Sequence, residues 1–393
     1  MLALRQCFAD VAAAGCHKAP HPSLESADDV VVSSDGRSVY VAAWTNGSPA
    51  VGADAITEFA RTARGRLVPT GCLTSAGARG CRAARVPLEG VGRLAISPDG
   101  RDLYALSDVG LVEFSRGEGG RLRPIGCIAL ASPGERGAAR CERPGGRAPL
   151  GPDGLAISPD GTDLYVTGVI KESGFPHPEW LGGIYEFARR ADGSVVPAPI
   201  GCFGPAAARG CATIKVPYLD EPVVSPDGSA LYASGEAAIE RFPRAADGSL
   251  GAPSCLLGAS LGCGLGYPGY ESLAISPDGS RLYLGTVHET AAYSIGPTGT
   301  LTELAASRLA SDDLTLSPDG SRLYGAVYDT GHGGIRAFAV GGDTLSPLGG
   351  PFSVEGVESM ALTPDGGTLL ATSSCGCGGA LLSLSPNRKE PAP

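Results

Sequence analysis

Ala95-Ile96-Ser97-Pro98-Asp99-Gly100-Arg101-Asp102-Leu103-Tyr104 reads as strand, tight turn, strand. Proline presets φ at the second turn position, aspartate tolerates the next and can bond the backbone, and glycine takes the positive φ that closes the hairpin. The signature recurs at 32–36, where Ser34 stands in place of the proline, and at 157–161, 224–228, 275–279, 316–320 and 362–366, seven copies in all. Most are followed after two residues by Leu-Tyr, as at Leu164-Tyr165, Leu231-Tyr232, Leu282-Tyr283 and Leu323-Tyr324. Turn geometry accounts for the seven aspartates, which read as structural.

Working outward, each copy is followed by a third strand, such as Ile56-Thr57-Glu58-Phe59, Leu111-Val112-Glu113-Phe114 or Ile184-Tyr185-Glu186-Phe187, and then by a fourth, such as Leu67-Val68. Four strands per repeat make a propeller blade. The expectation is all-β: one seven-bladed β-propeller over residues 1–386 with four-stranded blades, followed by a disordered tail at 387–393. The last repeat lacks a fourth strand, and the segment Leu2-Ala3-Leu4-Arg5-Gln6-Cys7 precedes its cysteine as 66–72 precedes the next. The N-terminus should therefore complete the last blade and close the ring, which removes open sheet edges. Blade three carries an insertion from Lys171 to Trp180.

The composition fits a short-stranded globular fold, since 59 Gly and 32 Pro in 393 residues demand many tight turns. No run of 18 apolar residues is present to span a membrane as a helix. A net charge of −10 argues against a nucleic-acid surface and for cations, basic partners or neutral small molecules. A monomer is expected, with a small-molecule ligand or a protein partner at the channel mouth.

Ten of the 12 cysteines fall in close pairs in step with the repeat: Cys7/Cys16, Cys72/Cys81, Cys127/Cys141, Cys202/Cys211 and Cys255/Cys263. Such pairs read as local disulfides, which persist in oxidising compartments, so a secreted or periplasmic protein is expected. The apolar run before Arg5 and Asp10 is too short for a signal-peptide core. The cysteines then imply a leader that is missing or a start that is misassigned. Cys375 and Cys377 could bind a soft metal, form a local bridge or stay free.

The Ser-Pro-Asp-Gly-x-x-Leu-Tyr repeats at 97–104, 158–165, 276–283 and 317–324 resemble those of bacterial lactonase-like seven-bladed propellers, the group that includes 6-phosphogluconolactonase and carboxymuconate cyclase-type enzymes. The resemblance covers almost the whole chain and implies lactone opening or closing. In the muconate-cyclising relatives it implies His, Arg and Glu side chains in the central cleft; no matching motif is found here, so no catalytic residue is transferred.

The repeats also serve as a ruler for a site. Seven residues before each turn aspartate, where the inner strand begins, stand Asp28, Gly92, Asp153, Asp220, Glu271, Asp312 and Glu358, six of them acidic. Asp29, Glu221 and Asp313 add charge alongside. Ring closure would gather these carboxylates at one channel mouth, opposite the turns. Two readings stand. Asp153, Asp220, Glu271 and Asp312 could hold Ca²⁺ or another hard divalent ion, which takes several oxygen ligands. Alternatively, each carboxylate caps its own strand or pairs with an arginine such as Arg93. Trp44, Asp108, Glu172, Glu236, Glu289 and Asp329 lie on loops of the same face. With them are His288 and His332, which join Asp312 as acid/base candidates. His177 and Trp180 are candidate lid residues. The function expected is lactone hydrolysis or formation at this mouth, or else ligand or protein binding by a non-enzymatic, disulfide-stapled propeller.

Overall fold

The computed structural model describes residues 2–10, 15–20, 23–44, 54–78, 80–132, 137–145, 150–172, 179–206, 208–214, 216, 218–235, 238–257, 272–327, 333–374 and 379–386. Each repeat aspartate sits in the turn that its neighbours require. In blade five, Ser276 Oγ donates to Asp278 Oδ1 at 2.6 Å and accepts the Arg281 N–H at 2.9 Å, while the Ser280 N–H also bonds Asp278 Oδ1. All seven turns carry this hydroxyl–carboxylate bond, at 2.5–2.6 Å. The seven glycines have φ between +61° and +72°, a region costly for any side chain bearing Cβ.

The turns join inner to second strands in seven antiparallel sheets around a ring. The inner strands are Ala27–Val32, Arg93–Ile96, Gly151–Ile157, Pro222–Val224, Ser272–Ile275, Asp313–Leu316 and Val357–Leu362. Each packs beside the next, and the last packs beside the first. The N-terminal strand Leu2–Ala9 pairs antiparallel with Ala380–Pro386, Cys7 opposite Leu382. Second strands such as Ser38–Ala43, Asp102–Ser107 and Ala230–Gly235 are buried at every position, because adjacent blades cover both of their faces. The apolar runs at their centres, such as 39–43 and 103–106, follow from that double burial.

Neighbouring blades are also latched through polar groups. Tyr40, Tyr104 and Tyr165 donate to the carbonyls of Gly120, Gly193 and Gly248 in the following blade. Each hydroxyl in turn accepts from an arginine of that blade: Arg116, Arg189 or Arg244. Arg189 and Arg244 close ion pairs on buried Asp102 and Asp163 and on the turn aspartates Asp99 and Asp160.

The sheets depart from uniform four-stranded blades. In blades one, three and seven a two-residue fifth strand, Arg82–Ala83, Ala212–Thr213 and His17–Lys18, runs parallel to the outer strand. Blade two repeats the register as one bridge, Ile128 to Glu142. In each case the residue after one cysteine pairs with the residue after its partner, and the disulfides Cys7–Cys16, Cys72–Cys81, Cys127–Cys141 and Cys202–Cys211 clamp the returning chain. The loop thereby covers the outer sheet edge, where backbone groups would otherwise stand open. Cys255 is also disulfide-bonded. Cys263, Cys375 and Cys377 lie outside the described residues, as do the tail residues 387–393. The four closed pairs fit an oxidising, extracytoplasmic environment. Among the described residues no helix is long and apolar enough to cross a membrane.

Candidate functional site

The inner strands start at the end of the ring opposite the turns. There they line a central channel of about 490 Å³ whose wall carries Asp29, Asp220, Glu221, Asp312, Asp313 and Glu358 with one arginine, Arg93. Beside it, between blades one, two and three, opens a mouth cavity of about 230 Å³ lined by Asp28, Trp44, Asp108, Asp153 and again Arg93. Arg93 thus stands where the two spaces meet.

The two acidic positions counted from each turn have different tasks. Carboxylates six residues before the turn latch blades together. Asp29 Oδ2 accepts the Leu94 N–H at 2.7 Å and Glu221 Oε2 the Leu273 N–H at 3.1 Å, while Asp313 is bonded by the Met360 N–H. In blade five Ser272 does the same for Leu314. Ser359 Oγ closes the ring onto Asp29 at 2.8 Å. Their neighbours one residue earlier face the opening instead. Asp28 lies 3.5 Å from Arg93, Asp153 accepts a 2.6 Å bond from the Tyr218 hydroxyl, and Glu358 accepts one from Ser374. The gap in the acidic series, Gly92, has a steric cause: a Cβ there would lie 2.6 Å from Asp28 Oδ2, so the carboxylate from blade one fills the space.

The electrostatics follow from many acids and one base. Burial works against the charge of Arg93, but the carboxylates of Asp28, Asp29, Asp220 and Glu221 more than compensate, and it stays firmly protonated. Burial pushes Asp28 up to about 6; Arg93 opposes the rise, while Asp29, Glu358 and Asp220 add to it. Burial likewise raises Asp153, Asp220 and Glu358, with Arg93 pulling each down. Glu221 and Asp313 rise through burial and through neighbouring acids, Asp220 beside the first, Glu221 and Asp29 beside the second. The carboxyl groups of the channel and its mouth are therefore all harder to ionise than free ones.

The remaining expected residues divide. Trp44 is 39% exposed on the wall of the mouth cavity, and Asp312 lines the channel. His288 is exposed in a tight turn closed by bonds between Thr286 and Glu289, and it lines neither space. Among the described residues no three His, Cys, Asp or Glu side chains converge closely enough to hold a metal ion. Glu271, His332, His177, Glu236 and Asp329 lie outside the described residues. The blade-three insertion continues its hairpin as a ribbon, with Lys171 opposite Trp180 and Glu172 opposite Glu179. Sequence reasoning missed Tyr218, which lies outside the repeat signature, and named Arg93 only as a counter-ion. The signal that could have singled out Arg93 is its place in the register, since it stands where Asp29, Glu221 and Asp313 stand in other blades.

No protein-family model and no curated protein matches the chain. Its fold recurs among solved structures. A candidate 6-phosphogluconolactonase from Bacteroides uniformis superposes with a TM-score of 0.59 at 22% identity, covering 85% of this chain and 88% of that one. A Lactobacillus plantarum protein gives 0.58 at 13% identity over 84% and 85%. A functionally unknown protein from Desulfotomaculum acetoxidans gives 0.55 at 13% over 83% and 85%. The chain shares the seven-bladed propeller fold of these structures; at these identities the likeness extends to the fold alone.

Proposed function

We propose that this propeller opens or closes a lactone ring at its channel mouth, in an extracytoplasmic compartment. The observation that carries the reading is the Asp28–Arg93 pair, 3.5 Å apart where the channel meets the mouth cavity, with Asp28 pushed up to about 6. A carboxylate with that affinity for protons is ionised at neutral pH and still basic enough to take a proton from water. In hydrolysis, water attacks the lactone carbonyl carbon while Asp28 accepts its proton. The Arg93 guanidinium faces the developing oxyanion. The ring C–O bond then breaks, and Asp28 returns the proton to the departing oxygen. Ring closure is the reverse. Trp44 offers a flat apolar face to the substrate ring, and the Tyr218–Asp153 pair fixes one wall of the cavity.

A divalent cation such as Ca²⁺ is a second reading, favoured by the excess of channel carboxylates over the one arginine and opposed by the fact that among the described residues no three of them converge on one point. A panel of lactones assayed with EDTA and with added Ca²⁺ separates the readings. Turnover that survives EDTA and is lost in D28N supports the proposal. Turnover only with metal moves the chemistry to the cation. Silence across the panel leaves the extracytoplasmic binding propeller as the reading.

A further inference from the structure

We infer that the mouth selects by charge, so that its substrate is an uncharged, hydroxylated lactone bearing no phosphate. The word lactone rests on the reading above; the charge selection does not. Among the described residues Arg93 is the one cation lining either space, and Asp28 already faces it. A phosphate ester brings a charge of about −1.5 to −2 and asks for several cationic or N–H donors. Here it would meet Asp28, Asp108 and Asp153 at the rim and six further carboxylates below.

What the walls supply is carboxyl groups. Asp313 Oδ2 is buried in the channel wall without a hydrogen-bond partner among the described residues. Burial and the neighbouring acids raise its affinity for a proton, so this carboxyl group can donate as well as accept, and a ligand hydroxyl, which does both, satisfies it in either state. Glycines make room for two of the rim carboxylates. A Cβ on Gly90 would overlap the Asp108 carboxylate, and one on Gly92 would overlap that of Asp28. Polar donors on the ring edge would meet the carboxylates while its apolar face meets Trp44, the chemistry that suits a neutral sugar lactone.

The test reads the charge at the mouth directly. The chain has two tryptophans, so W180F leaves Trp44 alone, and its fluorescence is quenched collisionally by caesium, iodide and acrylamide at constant low ionic strength. The ratio of caesium to iodide quenching is expected to exceed that of free N-acetyltryptophanamide several-fold, and to fall in D28N and D153N. Equal quenching by the two ions, or preference for iodide, would overturn the inference. The same comparison on the unsubstituted protein guards against a folding defect in W180F. In parallel, kcat/KM for gluconolactone should exceed that for its 6-phosphate ester at least tenfold. Parity or reversal also overturns the inference. Caesium-selective quenching with no turnover of either lactone would sustain charge selection and retire the lactonase reading alone.

Discussion

The two ends of the channel-lining strands carry aspartates in comparable number and put them to opposite use. At the turn end every carboxylate is met by donors. Asp278 is held down to about 2, first by the Ser276 hydroxyl and then by the Ser280 N–H and hydroxyl. Asp365 is held to about 2, first by the Thr363 hydroxyl and also by the Gly367 N–H and Arg61, against a modest opposing effect of burial. At the mouth end donors are scarce, burial dominates, and Asp28, Asp153, Asp220 and Glu358 are all raised. The difference teaches where the fold is complete in itself. A carboxylate saturated with local donors is structural; a row of carboxylates sharing one arginine has charge left uncompensated, and it is there that we propose the site.

The comparison is broken most severely at Asp28. D28N should cut lactone turnover about 100-fold or more, the usual range for losing a general base. Its effect on stability has the opposite sign. The folded pKa of Asp28 lies above its unfolded value, so the stability linked to its protonated form is complete below about pH 4 and is lost as pH rises through 6. Asn cannot ionise, so D28N should match the parent in Tm at pH 4 and exceed it by a few degrees at pH 7.5. Thermal melts at the two pH values check this alongside the rate.

At the turn end the largest effect is expected from R244A. Arg244 bonds the Tyr165 hydroxyl, the Gly228 carbonyl and Asp160, and it pairs with buried Asp163. Its removal leaves an uncompensated buried carboxylate, worth about 3–5 kcal/mol. Urea unfolding should show that loss, while turnover per folded molecule stays unchanged. C72A/C81A opens one clamp with a sequence separation of 9 residues and should cost about 2–3 kcal/mol by the same measurement. The smallest effect is expected from S276A, about 1 kcal/mol for one turn hydroxyl. Stability at that turn is present above about pH 4 and lost as pH falls toward 2, because the folded pKa of Asp278 is depressed; S276A should flatten this acid limb.

What could be read from the sequence follows the same division. The turns are legible because Ser-Pro-Asp-Gly carries its whole explanation within four residues, and five exact copies with two close variants, Ser33-Ser34-Asp35-Gly36 and Thr363-Pro364-Asp365-Gly366, multiply it. The mouth carboxylates are legible by counting from those turns. The neighbouring position is not, since Asp29, Glu221, Asp313 and Ser272 reveal their latching role only when the next blade presents an N–H. The fifth strands escaped for a similar reason: a cysteine pair announces a closed loop, but not that the returning chain lies parallel on the outer strand. Tyr218 belongs to a loop without a repeat partner, so no alignment of blades could place its hydroxyl on Asp153.

The pH dependence of kcat/KM for an uncharged lactone tests the account most directly. It should rise with pH along a limb of apparent pKa about 6, level off above, and lose that limb in D28N. A profile flat from pH 4.5 to 8, with D28N as active as the parent, would contradict it.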